Sequence, residues 1–306
     1  MKSSYLDFSV IICTRNRRDS LNETLDSLVA QITSSQSWEV LVVDNGSDDG
    51  TSNCVEERIA SFPVSLRVVV EPIAGLSHAR NKGLAEAMGG VVIFIDDDVT
   101  CSPGWLAAHQ QAFRDPELIA TGGRIVTVLP HPLPRWVHEN NLHEMRGPIG
   151  SFDYGEEELP LGAGNSVRSF FGGNMGMRKS SALSVDGFRS DLGWGNRLIP
   201  SEETDLLRRL GDVNALYLGK ALVEHRLQPE KLNLRYFQRW YRGSGRASVL
   251  MRPPANPLMW AVKFLVYVFD LLRFSPAILM GNRFVRLRTF RKFHQTCGRF
   301  AQLMGF

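Results

Sequence analysis

Five consecutive apolar residues, Val91-Val92-Ile93-Phe94-Ile95, run directly into three aspartates, Asp96-Asp97-Asp98. A run so short and so rich in β-branched residues predicts a strand buried on both faces, as in the middle of a parallel sheet. The carboxylates then stand at the strand's C-terminal end, the edge at which open α/β sheets bind ligands. Three adjacent carboxylates repel one another unless a cation or a donor-rich ligand joins them. The pattern points to a metal-dependent phosphate site; the alternative is a solvated acidic turn capping the next helix.

Three earlier stretches read the same way. Residues 8–12, 39–43 and 66–70 are predicted strands, each ending in polar residues. Ser20 and Glu23 make a capping box ahead of Leu21, Leu25 and Leu28 at helical spacing. Ser47 is placed to cap a second helix, and a third is predicted over 77–88. Four strand-to-helix units in so short a span specify an α/β fold with a doubly wound, mostly parallel sheet and right-handed crossovers. Neither GxGxxG after the first strand nor GxxxxGK[ST] is present, which disfavours a dinucleotide-binding dehydrogenase and a P-loop NTPase.

Beyond a predicted helix at 105–113 the pattern loosens. Residues 118–128 read as a strand interrupted at Gly122-Gly123, and a loop rich in Pro, His and Gly follows to about 164. Residues 170–178 read as a short strand whose glycines allow close backbone approach. Ser201 is placed to cap a helix with acids in its first turn. A late strand begins at Ala215 and ends at Glu224-His225-Arg226.

Charge divides the chain. The net charge of +3 hides fourteen Lys or Arg against one acid, Asp270, from Lys231 to the end. That gives two expected regions, 1–230 and a helical basic region at 231–306. Residues 258–272 are strongly apolar but broken by Lys263 and Asp270, too short to cross a bilayer. An interfacial helix fits better, with Arg283, Arg286, Arg288, Arg291 and Lys292 against anionic headgroups. The competing reading is a helical hairpin packed on the first region or at a homodimer interface. Nucleic-acid binding would interleave aromatic and basic residues on a sheet or groove; here they lie along apolar helical stretches, so no nucleic acid is expected. Cys13, Cys54, Cys101 and Cys297 lack metal or disulfide spacing. Residues 1–5 lack the apolar core of a signal peptide. The expected location is cytoplasmic, at the cytoplasmic face of the inner membrane.

Six motifs now carry a resemblance: CTRNR (13–17), VVDNGSDDG (42–50), GLSHARNKG (75–83), FIDDD (94–98), FFGGNMGMRK (170–179) and SEETDLLRRL (201–210). In this order and spacing they resemble the family-two glycosyltransferases of GT-A fold, over roughly residues 7–228. The resemblance implies a catalytic domain at 1–230, with a nucleotide-binding half at 1–115 and an acceptor-binding half at 116–230. It implies an inverting transferase that moves a sugar from a nucleotide diphosphate, with a lean to uridine, to the hydroxyl of a saccharide or lipid-linked saccharide, using Mg²⁺ or Mn²⁺. Bacterial polysaccharide or glycolipid synthesis is the family's common setting.

The same resemblance assigns residues. Asp96 falls on the ribose side, Asp98 on the cation, with Asp97 nearby and His225 completing the metal site; His225 could equally satisfy a backbone carbonyl. Asp44 is expected on the nucleobase or ribose, with an ordinary turn aspartate as its alternative. Thr14 and Arg15 close the other wall of the nucleotide pocket, and Arg80 meets the base or phosphates through its planar fork of donors. In SEETDLL the acidic pair is Glu202-Glu203; Glu203 occupies the position of the catalytic base, where the family frequently has Asp. Asp205, two residues on, points differently around the helix and is a further catalytic candidate, a support or an acceptor contact. Asn174 and Trp194 are expected on the acceptor side. A metal-dependent nucleotidyltransferase would carry a Gly-rich basic first loop, which CTRNR is not, and a non-catalytic nucleotide-sugar-binding homologue would not need these acids.

Overall fold

A computed structural model describes residues 6–31, 37–137, 142–162, 164–165, 167, 169–195, 198–280 and 283–306; the side chains of Trp194 and of residues 275–280 and 283–286 lie outside the description. Residues 1–5, read above for a signal sequence, fall outside it too.

In chain order the strands are β1 (Leu6–Thr14), β2 (Trp38–Asp44), β3 (Ser65–Val70), β4 (Gly89–Ile95), β5 (Val99–Cys101), β6 (Ala120–Val128), β7 (Glu158–Pro160), β8 (Asn174–Arg178), β9 (Gly193–Trp194), β10 (Leu198–Ile199) and β11 (Ala215–Arg226). The helices are α1 (Arg18–Val29), α2 (Thr51–Arg58), α3 (Leu76–Glu86), α4 (Trp105–Ala112), α5 (Leu142–Ile149), α6 (Lys179–Ser184), α7 (Glu202–Leu210), α8 (Leu234–Met251), α9 (Pro257–Met280) and α10 (Arg283–Leu303). They form two compact units.

The first unit holds Met1–Val128, Gly150–Ser190 and Glu202–Arg226. Its sheet runs β3-β2-β1-β4-β8-β6-β11-β5, with β7 pairing β11. β3, β2, β1 and β4 are parallel. Val92 and Ile93 are wholly buried, as a strand covered on both faces requires. The parallel run ends at β4, where β8 inserts antiparallel and sets Asn174 opposite Ile95. β11 then pairs β6 in parallel and β5 antiparallel, which puts His225 opposite Val99, one residue past the acidic turn.

Three local expectations change. α1 starts at Arg18, so Ser20 lies inside the first turn and donates to Arg17 O instead of capping. Its early start is fixed by Asp49 Oδ2, which accepts from Arg18 N at 3.1 Å. α2 starts after Gly50, with Asp49 Oδ1 accepting from Thr51 N; Ser47 Oγ accepts from Asn16 N. β6 continues as a strand through Gly122-Gly123, although its register with β11 shifts just after Gly123; a Cβ on Gly123 would fall where Asn174 packs, 2.2 Å from Nδ2.

The second unit holds Leu129–Ile149, Asp191–Ser201 and Leu227–Phe306, so it draws in two segments from before residue 230. Its core packs Phe237 and Tyr241 of α8 with Met145, Ile149 and Leu287. α8 and α10 approach closely at glycines: a Cβ on Gly245 would meet Gln295 O, and one on Gly298 would meet Arg242 O. On α9, Trp260 stacks on Phe264, which meets Phe300 of α10. The opposite stripe of α9, including Leu258, Val262, Leu265, Phe269 and Leu272, is open; Leu265 is 65% and Phe269 63% exposed. Among the described residues no helix is long and apolar enough to cross a membrane.

Candidate functional site

Asp96, Asp97 and Asp98 occupy the turn between β4 and β5, at the C-terminal edge of the parallel strands. β1 is the neighbour of β4, with Ile12 opposite Ile95, so the loop after β1 falls beside this turn. That register brings Arg17 to the acids. Its Nη1 lies 2.5 Å from Asp98 Oδ2 and 3.4 Å from Asp97 Oδ1. On the other side, His225 Nε2 lies 3.6 Å from Asp98 Oδ1. Asp98 and His225, assigned together from the sequence, are thus adjacent in space.

Burial pushes the Asp97 carboxyl up to about 7, and the charges of Asp98 and Asp96 push the same way, against Arg17. Thr14 Oγ1 is buried beside the Asp97 carboxyl, yet among the described residues it makes no hydrogen bond of ordinary geometry. Arg15 is exposed. Of the three arginines after β1, Arg17 is the one that holds the acids, and it was not singled out from sequence. Only the parallel register of β1 on β4 could have pointed to it.

Arg80 is buried on α3 and ion-pairs with Glu202, also buried, at the first turn of α7. The guanidinium lies over the Phe188 ring, 5.5 Å from its centroid. The FFGG motif is built for this packing. A Cβ on Gly172 would sit 2.1 Å from Arg80 Nη2, and one on Gly173 would sit 2.5 Å from Asp96 Oδ2. Arg80 is therefore engaged with an acid of α7, where the sequence reading set it against the base or phosphates. The charge of Asp96 also reaches Arg80, so the acidic turn and the start of α7 belong to one electrostatic neighbourhood.

Glu202 Oε2 is buried without a hydrogen-bond partner among the described residues. Next to it, the half-buried Glu203 carboxyl is pushed up to about 8, by desolvation first and then by the charge of Glu202; Arg80 opposes the shift. A carboxyl tuned into this range suits proton transfer near neutral pH. Asp205 differs. It is wholly buried and accepts from Arg209 Nε at 2.6 Å and Arg208 Nη2 at 3.2 Å, with Arg189 Nη1 at 3.6 Å. These contacts tie it to the last turn of α7 and to Arg189.

Two other sequence assignments land in internal structure. Asp44 is buried at the end of β2, where Oδ1 accepts from Ser47 N at 2.8 Å and Oδ2 accepts from Ser52 Oγ. It organises the turn into α2. Asn174, expected to touch acceptor, is wholly buried and fully occupied. Its Oδ1 accepts from Trp105 Nε1 at 3.0 Å and faces His109 Nε2 at 3.3 Å; its Nδ2 donates to Arg124 O and Ala221 O. No polar atom of Asn174 is left for an acceptor. The Trp194 side chain lies outside the described residues.

For a divalent cation the donor set fits: one hard carboxylate and one imidazole, 3.6 Å apart. Mg²⁺ and Mn²⁺ sites commonly take only one or two protein ligands and complete themselves with phosphate oxygens and water. Among the described residues no group of three or more His, Cys, Asp or Glu is arranged to hold a metal alone.

Residues 9–183 match the sequence model of glycosyl transferase family 2. The glucosyl-dolichyl phosphate glucuronosyltransferase of Haloferax volcanii is 26% identical over 281 residues, covering 87% of this chain and 85% of that protein. The mannosyltransferase PcManGT from Pyrobaculum calidifontis, solved with GDP-Man and Mn²⁺, superposes with a TM-score of 0.64 at 17% identity, covering 99% of this chain and 88% of that one. S. aureus TarS 1-349 in complex with UDP-GlcNAc gives a TM-score of 0.58 at 17% identity, covering 98% of this chain and 92% of that one.

Proposed function

Because the chain belongs to glycosyl transferase family 2, with a GT-A fold, we propose that it transfers a sugar from a nucleotide diphosphate sugar to an acceptor hydroxyl with inversion at the anomeric carbon. The observation that carries this reading is the convergence in one unit of a carboxylate–imidazole pair, Asp98 and His225, with an acid tuned for proton transfer, Glu203. Asp98 and His225 are the residues that would hold Mg²⁺ or Mn²⁺, which when bound supplies positive charge to the departing diphosphate. Glu203 takes the acceptor hydroxyl's proton. The hydroxyl oxygen bonds to the anomeric carbon from the face opposite the diphosphate, the bond from that carbon to the diphosphate oxygen breaks, and the nucleoside diphosphate leaves with its electron pair. Asp96 and Thr14 face the nucleotide side in this reading, while Arg80 holds Glu202 and so sets the start of α7.

The donor is uridine-linked in this reading, and the Haloferax relative's name supports a lipid-linked acceptor. The open apolar stripe of α9 and the fourteen basic residues after position 230 support peripheral contact with an anionic membrane, on its cytoplasmic face. The same stripe favours a second reading, a homodimer contact. The test is a panel of UDP- and GDP-sugars incubated with the protein and Mn²⁺, followed by thermal shift and by release of nucleoside diphosphate. A true donor raises the melting temperature by mass action; no stabilisation by any nucleotide sugar would count against the proposal.

A further inference from the structure

Arg17 closes the CTRNR motif, in which only Thr14 and Arg15 carry an expected role. Its guanidinium points at the carboxylates and holds Asp98 Oδ2, while His225 faces the other oxygen, Oδ1. The Arg17 side chain is 25% exposed against 9% for Asp97 and 8% for Asp98, so the guanidinium is the outer member of the cluster. Its backbone is fixed. Arg17 O accepts from Leu21 N at 2.9 Å, and Asn16 is held on both sides, donating through N to Ser47 Oγ and accepting through Oδ1 from Asp48 N. Only the side chain is left to move.

We propose that Arg17 is a built-in counter-ion that competes with the divalent cation for Asp98 and, once displaced, turns to the donor's diphosphate. This rests on the reading of Asp98 as a cation ligand. Charge supports it: adjacent carboxylates packed this tightly need a compensating cation, and Arg17 provides one before any ligand arrives. A dication at Asp98 makes the guanidinium surplus and repels it. The diphosphate then offers oxygens matched to the guanidinium's planar fork.

Mn²⁺ binding, read as the loss of the free-ion electron paramagnetic resonance signal, tests this on the full chain in wild type, Arg17→Gln, Arg17→Lys and Asp98→Asn, with and without UDP or GDP. Without nucleotide, Arg17→Gln should bind Mn²⁺ about five-fold tighter or more, the fold-change corresponding to loss of a partly exposed ion pair of about 1 kcal/mol. Arg17→Lys should fall between it and wild type, and stands in if the glutamine variant does not fold. With Mn²⁺ saturating, the glutamine variant should bind UDP or GDP several-fold more weakly. Unchanged or weaker Mn²⁺ binding by nucleotide-free Arg17→Gln, or by Arg17→Lys in its place, overturns the competition. Mn²⁺ binding that is absent from wild type even with nucleotide, or intact in Asp98→Asn, overturns the cation reading itself.

Discussion

Asp98 Oδ1 and His225 Nε2 stand 3.6 Å apart although they come from opposite halves of the first unit's chain, one from the turn after β4 and the other from β11. The antiparallel pairing of β5 with β11 creates this approach by setting His225 opposite Val99. Groups that hydrogen-bond to a metal ligand are worth roughly 10–100-fold in affinity, so a direct ligand should be worth at least the upper end. Asp98→Asn and His225→Ala should each weaken Mn²⁺-dependent nucleotide binding by about 100-fold, measured by calorimetric titration, while leaving the fold intact by circular dichroism.

Glu203 gives a pH signature. Its carboxyl titrates at about 8 in the folded protein against an ordinary 4.5, so between those values the folded state binds more protons than the unfolded one. Stability supplied by this group is therefore full at low pH and is lost as pH rises from 4.5 towards 8. Glu203→Gln should raise the melting temperature at pH 8 by about 3 °C or more, and the gain should vanish near pH 5. On the proposed role, wild-type kcat/KM should climb with pH and level off near 8, and Glu203→Gln should abolish turnover across that range.

The Arg80–Glu202 pair is buried on both sides. Removing one partner leaves the other as an uncompensated buried charge, a loss of about 3–5 kcal/mol. Arg80→Met should thus unfold at markedly lower denaturant concentration, and Arg80→Met with Glu202→Met together should recover much of the loss. Equal, additive losses would remove the pairing.

Asn174→Ala separates a structural from an acceptor-contact role. It strands Trp105 Nε1 and the carbonyls of Arg124 and Ala221, so a loss of about 3 kcal/mol or more is expected. The variant that still folds should keep the acceptor KM of wild type.

The α9 stripe predicts a membrane effect without a stability effect. Leu265→Glu with Phe269→Glu changes two side chains that are 65% and 63% exposed, so unfolding should shift by less than about 1 kcal/mol. Co-sedimentation with vesicles containing anionic phosphatidylglycerol should drop sharply. Sedimentation unaltered by the pair, with loss of a dimer in ultracentrifugation, would favour the homodimer reading.

The sheet's parallel part was legible because β1, β2 and β4 are apolar runs bounded by polar loops, a signal that burial on both faces imposes. β8 was harder. Its residues Asn174 to Arg178 include a glycine and a buried asparagine, so nothing in their pattern tells that the strand runs antiparallel beside β4. Strand ends place the acids and His225 at one edge of the sheet, whereas the roles given to them come from the family resemblance. The partners of those acids could not be placed this way: Arg80 and Glu202 are joined through folding across 122 positions, and no local periodicity records such a pairing. Ser20 misled because a capping motif is local chemistry, overruled here by Asp49 from the next loop. α9 is apolar over most of its circumference, interrupted by Lys263 and Asp270, so periodicity does not say which apolar face α10 covers.

The most direct test is release of nucleoside diphosphate from UDP- and GDP-sugars by the purified chain, with Mn²⁺ and with a chelator, alongside Asp98→Asn and Glu203→Gln. The account predicts release from at least one donor that requires the cation, is accelerated by an acceptor and is lost in both variants. Release that persists in the chelator, or at wild-type rate in either variant, would contradict it.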